Sequence, residues 1–515
     1  VGNRSTAEFR LKATKWQSGL LATACALSIN SWAAPVVSTS AIEARRPNIV
    51  LLFSDDMGYA DAGFQNISQD VVTPNMDRIA ADGVTFSSGY VTGTVCGPSR
   101  AGLITGRYQQ RFGYHDNTAP YSRDADTPLG LDLSVPTMAN YLADAGYRTG
   151  MVGKWHDAEP EEYWPHNRGF EEFFGFNNGA ATYYVGPMNE AKHDYKKEAA
   201  IYRNGELVDN FDQYLTDKFG DEAVDYIRRN KDEPFFLYVA FNAIHSPMEP
   251  KQVDMDRFAD IEDENRRKAV AMNYNMDENI GKILDKLEKE GLSDNTIVVY
   301  LADNGGKRND NYSLNTPLRG EKGSFWEGGI RIPFAMSWKG VIPSGQTIDE
   351  PIISLDLMTT FLSAAGIENK AEWQLDGEDL LPLVTGEVGQ LEDRFLFWAN
   401  SRGWAVRDRN WKLYDENARR IRQKPMLFNL SGDREEQHEL TEKFPKEAER
   451  LLTAYNEWNA ENDTPRWGWN RQQFPHYNGH HSREERLAQG EEVREAEDAA
   501  NEVRRAKARA VIDAS

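Results

Sequence analysis

A near-continuous apolar run, Asn48-Ile49-Val50-Leu51-Leu52-Phe53-Ser54, ends abruptly in Asp55-Asp56. A run without polar alternation does not suit a strand with one wet face; it reads as a central parallel strand covered on both sides. The pattern recurs along the chain. Arg148 to Val152 reads as a strand leading to Gly153-Lys154-Trp155-His156, and Phe235 to Phe241 as one leading to Asn242-Ala243-Ile244-His245. Thr296 to Ala302 is another, and it delivers Asp303-Asn304-Gly305-Gly306. Helical signals lie between these strands. Thr73-Pro74 opens a helix with Gly83 past its end, and Pro98 opens one running to about Ile104 with Gly106 as its stop. Val135 to Ala145 closes on Gly146, and Asp277 to Glu290 carries Ile280, Ile283, Leu284 and Leu287 on one face. Strands alternating with helices predict an α/β fold, a mostly parallel sheet sandwiched by helices.

In open α/β sheets ligands bind beyond the carboxyl ends of the strands. Asp55-Asp56, Lys154, His156, His245 and Asp303-Asn304 all fall there, which makes that edge the expected active site. The formal charge of -22 argues against nucleic acid as a partner. It also means that an anionic ligand needs local positive charge at the site.

At 515 residues the chain is too long for one compact core. From about Leu391 the texture changes to short segments, around Phe395-Leu396-Phe397-Trp398, Gly403 to Val406, Trp411 to Tyr414 and Met426 to Leu430, followed by a helical pattern from Phe444 to Trp458. These predict a smaller C-terminal domain of antiparallel sheet plus helix over 391–475, after a catalytic domain over 46–390. Residues 476–515 read as a charged, solvated tail. At the other end, Arg4, Arg10, Lys12 and Lys15 precede the apolar run Gly19 to Leu27, with Ser31 and Ala33 placed for cleavage. Residues 1–33 therefore read as a signal peptide, so the protein is expected to be exported, periplasmic or secreted. No later apolar stretch is long enough to predict a membrane span.

The chain has two cysteines, and Cys25 lies in the segment expected to be removed. Cys96 is left alone, without a disulfide partner, so it has either a chemical task or a buried inert place. Its setting is Val95-Cys96-Gly97-Pro98-Ser99-Arg100, extended by Leu103, Thr105 and Gly106. Cys-x-Pro-x-Arg, together with Asp55-Asp56, Gly153-Lys154-Trp155-His156, His245, Asp303-Asn304-Gly305 and Gly320-Glu321-Lys322-Gly323, resembles the type I, formylglycine-dependent sulfatases of the alkaline phosphatase superfamily. The resemblance extends from about Arg46 to at least Asp433.

The resemblance implies an alkaline phosphatase-like fold and a sulfuric ester hydrolase. It implies that Cys96 is oxidised by a formylglycine-generating maturation enzyme and that the hydrated aldehyde is the nucleophile. Asp55, Asp56, Asp303 and Asn304 offer only hard oxygen ligands, which suit Ca²⁺ or Mg²⁺. The family favours one Ca²⁺ per chain, with residue 96 completing its shell. By the same resemblance Lys154, His156 and Lys322 grip the nucleophile and the sulfate, and His245 protonates the leaving oxygen. Arg100, one helical turn beyond Cys96, can hold the formylglycine, and the start of that helix favours an anion. These cations supply the local positive charge that an acidic protein needs.

The family usually follows Gly-Lys-Trp-His with Leu-Gly; here Asp157-Ala158-Glu159-Pro160 follows, so substrate specificity is not transferable at that loop. Tyr108-Gln109-Gln110-Arg111-Phe112-Gly113 resembles bacterial members that desulfate polysaccharides, and a sulfated carbohydrate is the expected substrate. Trp164, His166 and Arg168, and the run Arg466-Trp467-Gly468-Trp469-Asn470-Arg471, could stack on sugars and pair with further sulfates. Equally, they could pack parts of the chain together. Two alternatives stand beside the sulfatase: a phosphodiesterase or phosphonate ester hydrolase of the same superfamily, and a non-catalytic glycan-binding relative.

Overall fold

A computed structural model describes residues 46–119, 121–124, 127, 129–156, 160–184, 200–208, 213–416, 424–468 and 472–477. The expected signal peptide, the loop residues 157–159, residues 469–471 and the tail beyond 477 lie outside the described residues.

The described part is built on a ten-stranded sheet. Five adjacent strands run parallel in the order Thr296–Ala302, Asn48–Ser54, Phe235–Ala240, Arg148–Lys154 and Glu172–Phe176. Leu51 sits opposite Val299 on one side and Tyr238 on the other. Every residue of Asn48–Ser54, Phe235–Ala240 and Thr296–Ala302 is buried, which is why these segments show no polar alternation. Phe334–Trp338 continues the sheet antiparallel to Thr296–Ala302, and short strands close both edges.

The helix Cys96–Thr105 starts two residues earlier than Pro98 implies, so Cys96 is its first residue. It ends at Gly106, whose φ of 64° lets its N–H cap the carbonyl of Gly102. Met138–Asp144 begins later than expected, because Thr137 and Asn140 form a capping box there. The helix expected from Asp277 is longer, Glu264–Lys289. Its first half is anchored by polar groups, which an apolar periodicity does not show. Asp263 caps its start, Arg266 is clamped by Asp61 and Asp70, and Asn273 donates to the Asp61 carbonyl.

Phe395–Asn400, Gly403–Asp408, Trp411–Glu416 and Met426–Asn429 form a four-stranded antiparallel sheet. The helix Pro445–Ala460 packs on it through stacked pairs, Trp404 with Tyr455 and Phe397 with Trp458. Beyond it, Trp467–Gly468 and His476–Tyr477 both pair with Tyr121–Ser122. The first two residues of the expected tail are therefore a strand. No described helix is long and apolar enough to cross a membrane.

Candidate active site

The parallel strands bring the polar residues at their carboxyl ends to one place. Ser54 and Ala302 are in register, so Asp55-Asp56 and Asp303-Asn304 emerge side by side. The Asp303 N–H donates to the Ser54 carbonyl and the Asp56 N–H to Asp303 Oδ1, 2.9 Å away. Asp56 has a φ of 58°, a turn conformation that swings its carboxylate across the strand ends. On the other side, the Asp55 N–H donates to the Ala243 carbonyl, which ties the aspartate pair to the segment carrying His245.

Cys96 enters from the helix Cys96–Thr105 and is buried. Its sulfur lies 3.5 Å from Asp55 Oδ1 and 3.7 Å from Asp56 Oδ1. Lys322, on the loop after the Thr296–Ala302 strand, donates to both oxygens of Asp56 at 2.5 and 2.7 Å and reaches Sγ at 3.1 Å. Lys154 Nζ, fully buried, lies 2.5 Å from Asp55 Oδ2. One turn beyond Cys96, Arg100 donates to Asp303 Oδ2 at 2.9 Å and to the Lys154 carbonyl at 3.0 Å. Three buried carboxylates thus face three cations, Lys154, Lys322 and Arg100. His245 Nδ1 lies 2.6 Å from the Ser246 carbonyl, so that nitrogen carries the proton, and Nε2 points at Asp56 Oδ2 from 3.6 Å. His156 sits just past Lys154 with a φ of 63°.

Burial sets the protonation pattern. It pushes the Cys96 thiol well up, and the negative charge of Asp303 adds to that. Burial alone would raise Asp56, but the charges of Lys322 and Lys154 outweigh it and hold that carboxylate ionised. Asp303 moves up, first because it is buried and then because Asp55 crowds it. His156 falls well below its ordinary value through burial and the neighbouring Lys154 and Arg100. His245 falls to about 4, mainly through burial, although Asp56 pulls the other way. Both imidazoles are therefore neutral at neutral pH.

The donor set fits a hard cation. Asp55, Asp56 and Cys96 come within ligating distance of one another, with His245 beside them. Asn304 donates its amide N–H to Asp56 Oδ1 at 2.8 Å, while its buried Oδ1 has no hydrogen-bond partner. An orphaned buried amide oxygen beside three carboxylates is the donor a calcium or magnesium ion would take up.

A family model described as Sulfatase matches residues 47–367, a segment that contains Asp55, Cys96, Lys154, His245, Asp303 and Lys322. The chain belongs to the sulfatase family. This sulfatase is 35% identical over 377 residues to an N-acetylgalactosamine-6-sulfatase of Mus musculus, covering 68% of each chain. It is 30% identical over 428 residues to the uncharacterized sulfatase YdeN of Escherichia coli (strain K12), covering 73% of each. Among solved structures it resembles Ps i-CgsB in complex with k-i-k-neocarrahexaose, with a TM-score of 0.77 and 32% identity, over 83% of this chain and 96% of that one. This sulfatase is a sulfuric ester hydrolase, with a mostly parallel sheet and a small antiparallel one.

The residues named for sugar contact are placed differently. Arg168 is buried, and its guanidinium donates to the carbonyls of Leu131, Asp132 and Val135. Trp467 is 1% exposed, donates its indole N–H to the Asp116 carbonyl and packs edge-on against Tyr114. Both serve packing, because their polar atoms are spent on backbone carbonyls and no open face remains. Trp164 is half-buried against Tyr202, and His166 is half-buried beside Asn167 and Glu161.

Other contributors to this sulfatase's site carry no sequence signal. Asn311 donates to the carbonyls of Asp56 at 2.7 Å and Ile244 at 3.1 Å, clamping the aspartate turn to the His245 segment. It stands in a loop with several other asparagines, and nothing local marks it out. Glu327, just beyond the Lys322 loop, forms a fully buried network with Lys412, Arg331 and Glu436. Lys412 belongs to the small sheet, so the network ties that sheet to the loop.

Proposed function

We propose that this sulfatase hydrolyses sulfate monoesters of a sulfated carbohydrate, a polysaccharide or its oligosaccharides, at residue 96 after its conversion to formylglycine and with one bound calcium ion. The observation that carries the reading is the position of Cys96 Sγ, against Lys322 and between Asp55 and Asp56. The similarity to an N-acetylgalactosamine-6-sulfatase and to Ps i-CgsB, solved with a neocarrahexaose, supports the carbohydrate substrate.

The thiol itself is a poor reagent here, since burial and Asp303 keep it protonated. Formylglycine, as its hydrate, would supply an oxygen nucleophile at the same place. Asp55, Asp56, Asp303 and the free Oδ1 of Asn304 would hold the calcium ion, which would supply charge neutralisation for a sulfate oxygen. Without the ion, carboxylates and cations balance. A divalent cation leaves surplus positive charge that the singly charged sulfate ester offsets in part, so an acidic protein can take an acidic substrate.

The protein's own groups divide the remaining work. Lys322 and Lys154 donate hydrogen bonds toward the reacting oxygens, and Arg100 fixes Asp303 and the strand end that carries Lys154. His245 Nε2 faces the site without a proton; once the bound anion raises its basicity it takes one up from solvent and delivers it to the leaving oxygen. His156, neutral and half-buried, accepts the proton that releases sulfate. We also take residues 46–390 as the catalytic domain, 391–475 as the smaller domain, and the protein as exported to the periplasm or beyond.

Sulfate released from a panel of sulfated oligosaccharides and polysaccharides, measured by ion chromatography, tests the reading. Release from at least one glycan by protein carrying formylglycine is expected. No release from any of them would overturn it, and faster turnover of an aryl phosphodiester than of an aryl sulfate would favour a phosphodiesterase or phosphonate ester hydrolase instead.

A further inference from the structure

The turn Asn400–Gly403, between the first two strands of the small antiparallel sheet, is docked on the segment that leads into Cys96. Asn400 Nδ2 donates to Thr94 Oγ1 at 3.1 Å, and the Ser401 N–H donates to Asp116 Oδ2 at 3.2 Å. Thr94 also receives the loop of Lys322, because its carbonyl accepts the Gly323 N–H at 2.7 Å. Thr94 therefore holds both the turn and the loop two residues before the nucleophile position.

That arrangement places Arg402 at the rim. Its backbone is pinned by an N–H bond to Asn400 Oδ1. Its Nη1 lies 3.4 Å from the point where Gly323 would carry a Cβ, and Gly323 is the residue after Lys322. Gly323 has a φ of 89° and no side chain, so nothing from it stands between the guanidinium and the loop. Arg402 is exposed, and among the described residues no carboxylate pairs with it. This is notable in a chain of 59 basic and 81 acidic residues, where Arg78, Arg148, Arg229, Arg409 and Arg450 all have acidic partners. Lys307 and Arg308, also exposed, follow Gly306, whose carbonyl accepts the Lys322 N–H. The loop of Lys322 is thus adjoined by segments that carry exposed cations, and its own Glu321 carboxylate accepts the Arg308 N–H at 3.0 Å.

We propose that Arg402 is a specificity-determining residue that binds a second anionic group of the substrate, a sulfate or a carboxylate, next to the sulfate being cleaved. The inference rests on the sulfated-carbohydrate reading above. The planar guanidinium offers paired donors that match either oxyanion, and a sugar chain covering the rim shields the pair from solvent. A substrate with only the scissile sulfate gains nothing from it.

The test compares wild type, Arg402→Ala and Arg402→Lys, all carrying formylglycine, on three substrates. These are 4-methylumbelliferyl sulfate, an iota-carrageenan tetrasaccharide bearing neighbouring sulfates, and a chondroitin-6-sulfate disaccharide bearing a uronate carboxylate. For Arg402→Ala, KM for a glycan with a second anion rises about tenfold with kcat little changed, and the rise shrinks at high salt. Arg402→Lys restores part of the loss, and KM for the aryl sulfate stays within about twofold. Which glycan responds shows whether the second anion is sulfate or carboxylate. An unchanged KM on every glycan turned over, or an equal loss on the aryl sulfate, overturns the role of Arg402. If neither glycan is cleaved, the comparison moves to a glycan of the panel that wild type does desulfate; if wild type cleaves the aryl sulfate and no glycan of the panel, the carbohydrate reading fails and the arginine's role falls with it.

Discussion

Lys322 Nζ stands 3.1 Å from the sulfur of Cys96, although 226 positions separate the two in the chain. The same ammonium holds Asp56 by both oxygens. One cation thus touches the proposed nucleophile position and a carboxylate of the proposed metal site together. Replacing Lys322 by Ala is expected to lower kcat for aryl sulfate hydrolysis about 100- to 1000-fold, the usual cost of removing one preorganised donor. Steady-state kinetics on protein of known formylglycine content checks this.

Protein made without a maturation enzyme keeps Cys96 as a buried thiol whose pKa is raised. Such protein is expected to be inactive and to resist iodoacetamide at neutral pH while folded. Cys96→Ala is expected to lower kcat by more than about 10⁴-fold. Mass spectrometry of the peptide, paired with activity, should show turnover rising with the fraction converted.

Asn311 holds the Asp56 and Ile244 carbonyls together behind the oxygen cage. Chelation of the enzyme is expected to abolish activity, and added Ca²⁺ to restore it. In Asn311→Ala the Ca²⁺ concentration needed for half-restoration should rise about 10- to 100-fold, the typical effect of losing a group that orients metal ligands. A calcium titration of the chelated enzyme reads it directly.

Asp277 accepts N–H bonds from Asn75 and Met76 at the start of the helix Pro74–Ala81, and burial raises its pKa to about 6. A carboxyl with a raised folded-state pKa favours the fold when protonated. Its contribution is complete below about 4 and disappears as pH rises through about 6. The difference in unfolding free energy between wild type and Asp277→Asn should therefore change by up to about 3 kcal/mol between pH 4 and 7, moving against the wild type as pH rises. Urea unfolding across that range is the measurement.

Lys412 lies 2.8 Å from both Glu327 and Glu436, all three fully buried, and Glu327 also binds Tyr90 and Arg331. Burial lifts Glu436 to about 7 against the pull of Lys412. Lys412→Met leaves the Glu436 carboxylate without a cation in the interior and is expected to destabilise the protein by about 3–5 kcal/mol. Double substitution of Lys412 and Glu436 by apolar residues should recover part of that loss, as thermal unfolding would show.

Much of the fold was legible because it is written in local patterns. The unbroken apolar run of Asn48–Ser54 demands cover on both faces, and Asp55-Asp56 follows because a buried strand must end in something polar. The helix from Cys96 was legible through Gly106 and Pro98, and the small sheet through its aromatic segments. The first half of Glu264–Lys289 was not, since it is held by Arg266, Asn273 and Asn275 reaching distant carboxylates and carbonyls. Apolar periodicity is blind to a face fastened by polar bonds.

The sequence by itself determined that a parallel sheet would gather Asp55, Asp56, Lys154, His245 and Asp303 at one edge, because strand ends and side-chain periods are local properties. It also marked Cys96 as the residue around which the chemistry turns. Tertiary structure alone decided which charges meet: Lys322 with Asp56 and Cys96, Arg100 with Asp303, Lys412 with Glu327 and Glu436. It also decided that Arg168 and Trp467 are packing groups while Arg402 is exposed, with no carboxylate paired to it among the described residues. The physical reason is that a polar side chain is defined by the partner it reaches, and that partner is chosen by how distant segments pack.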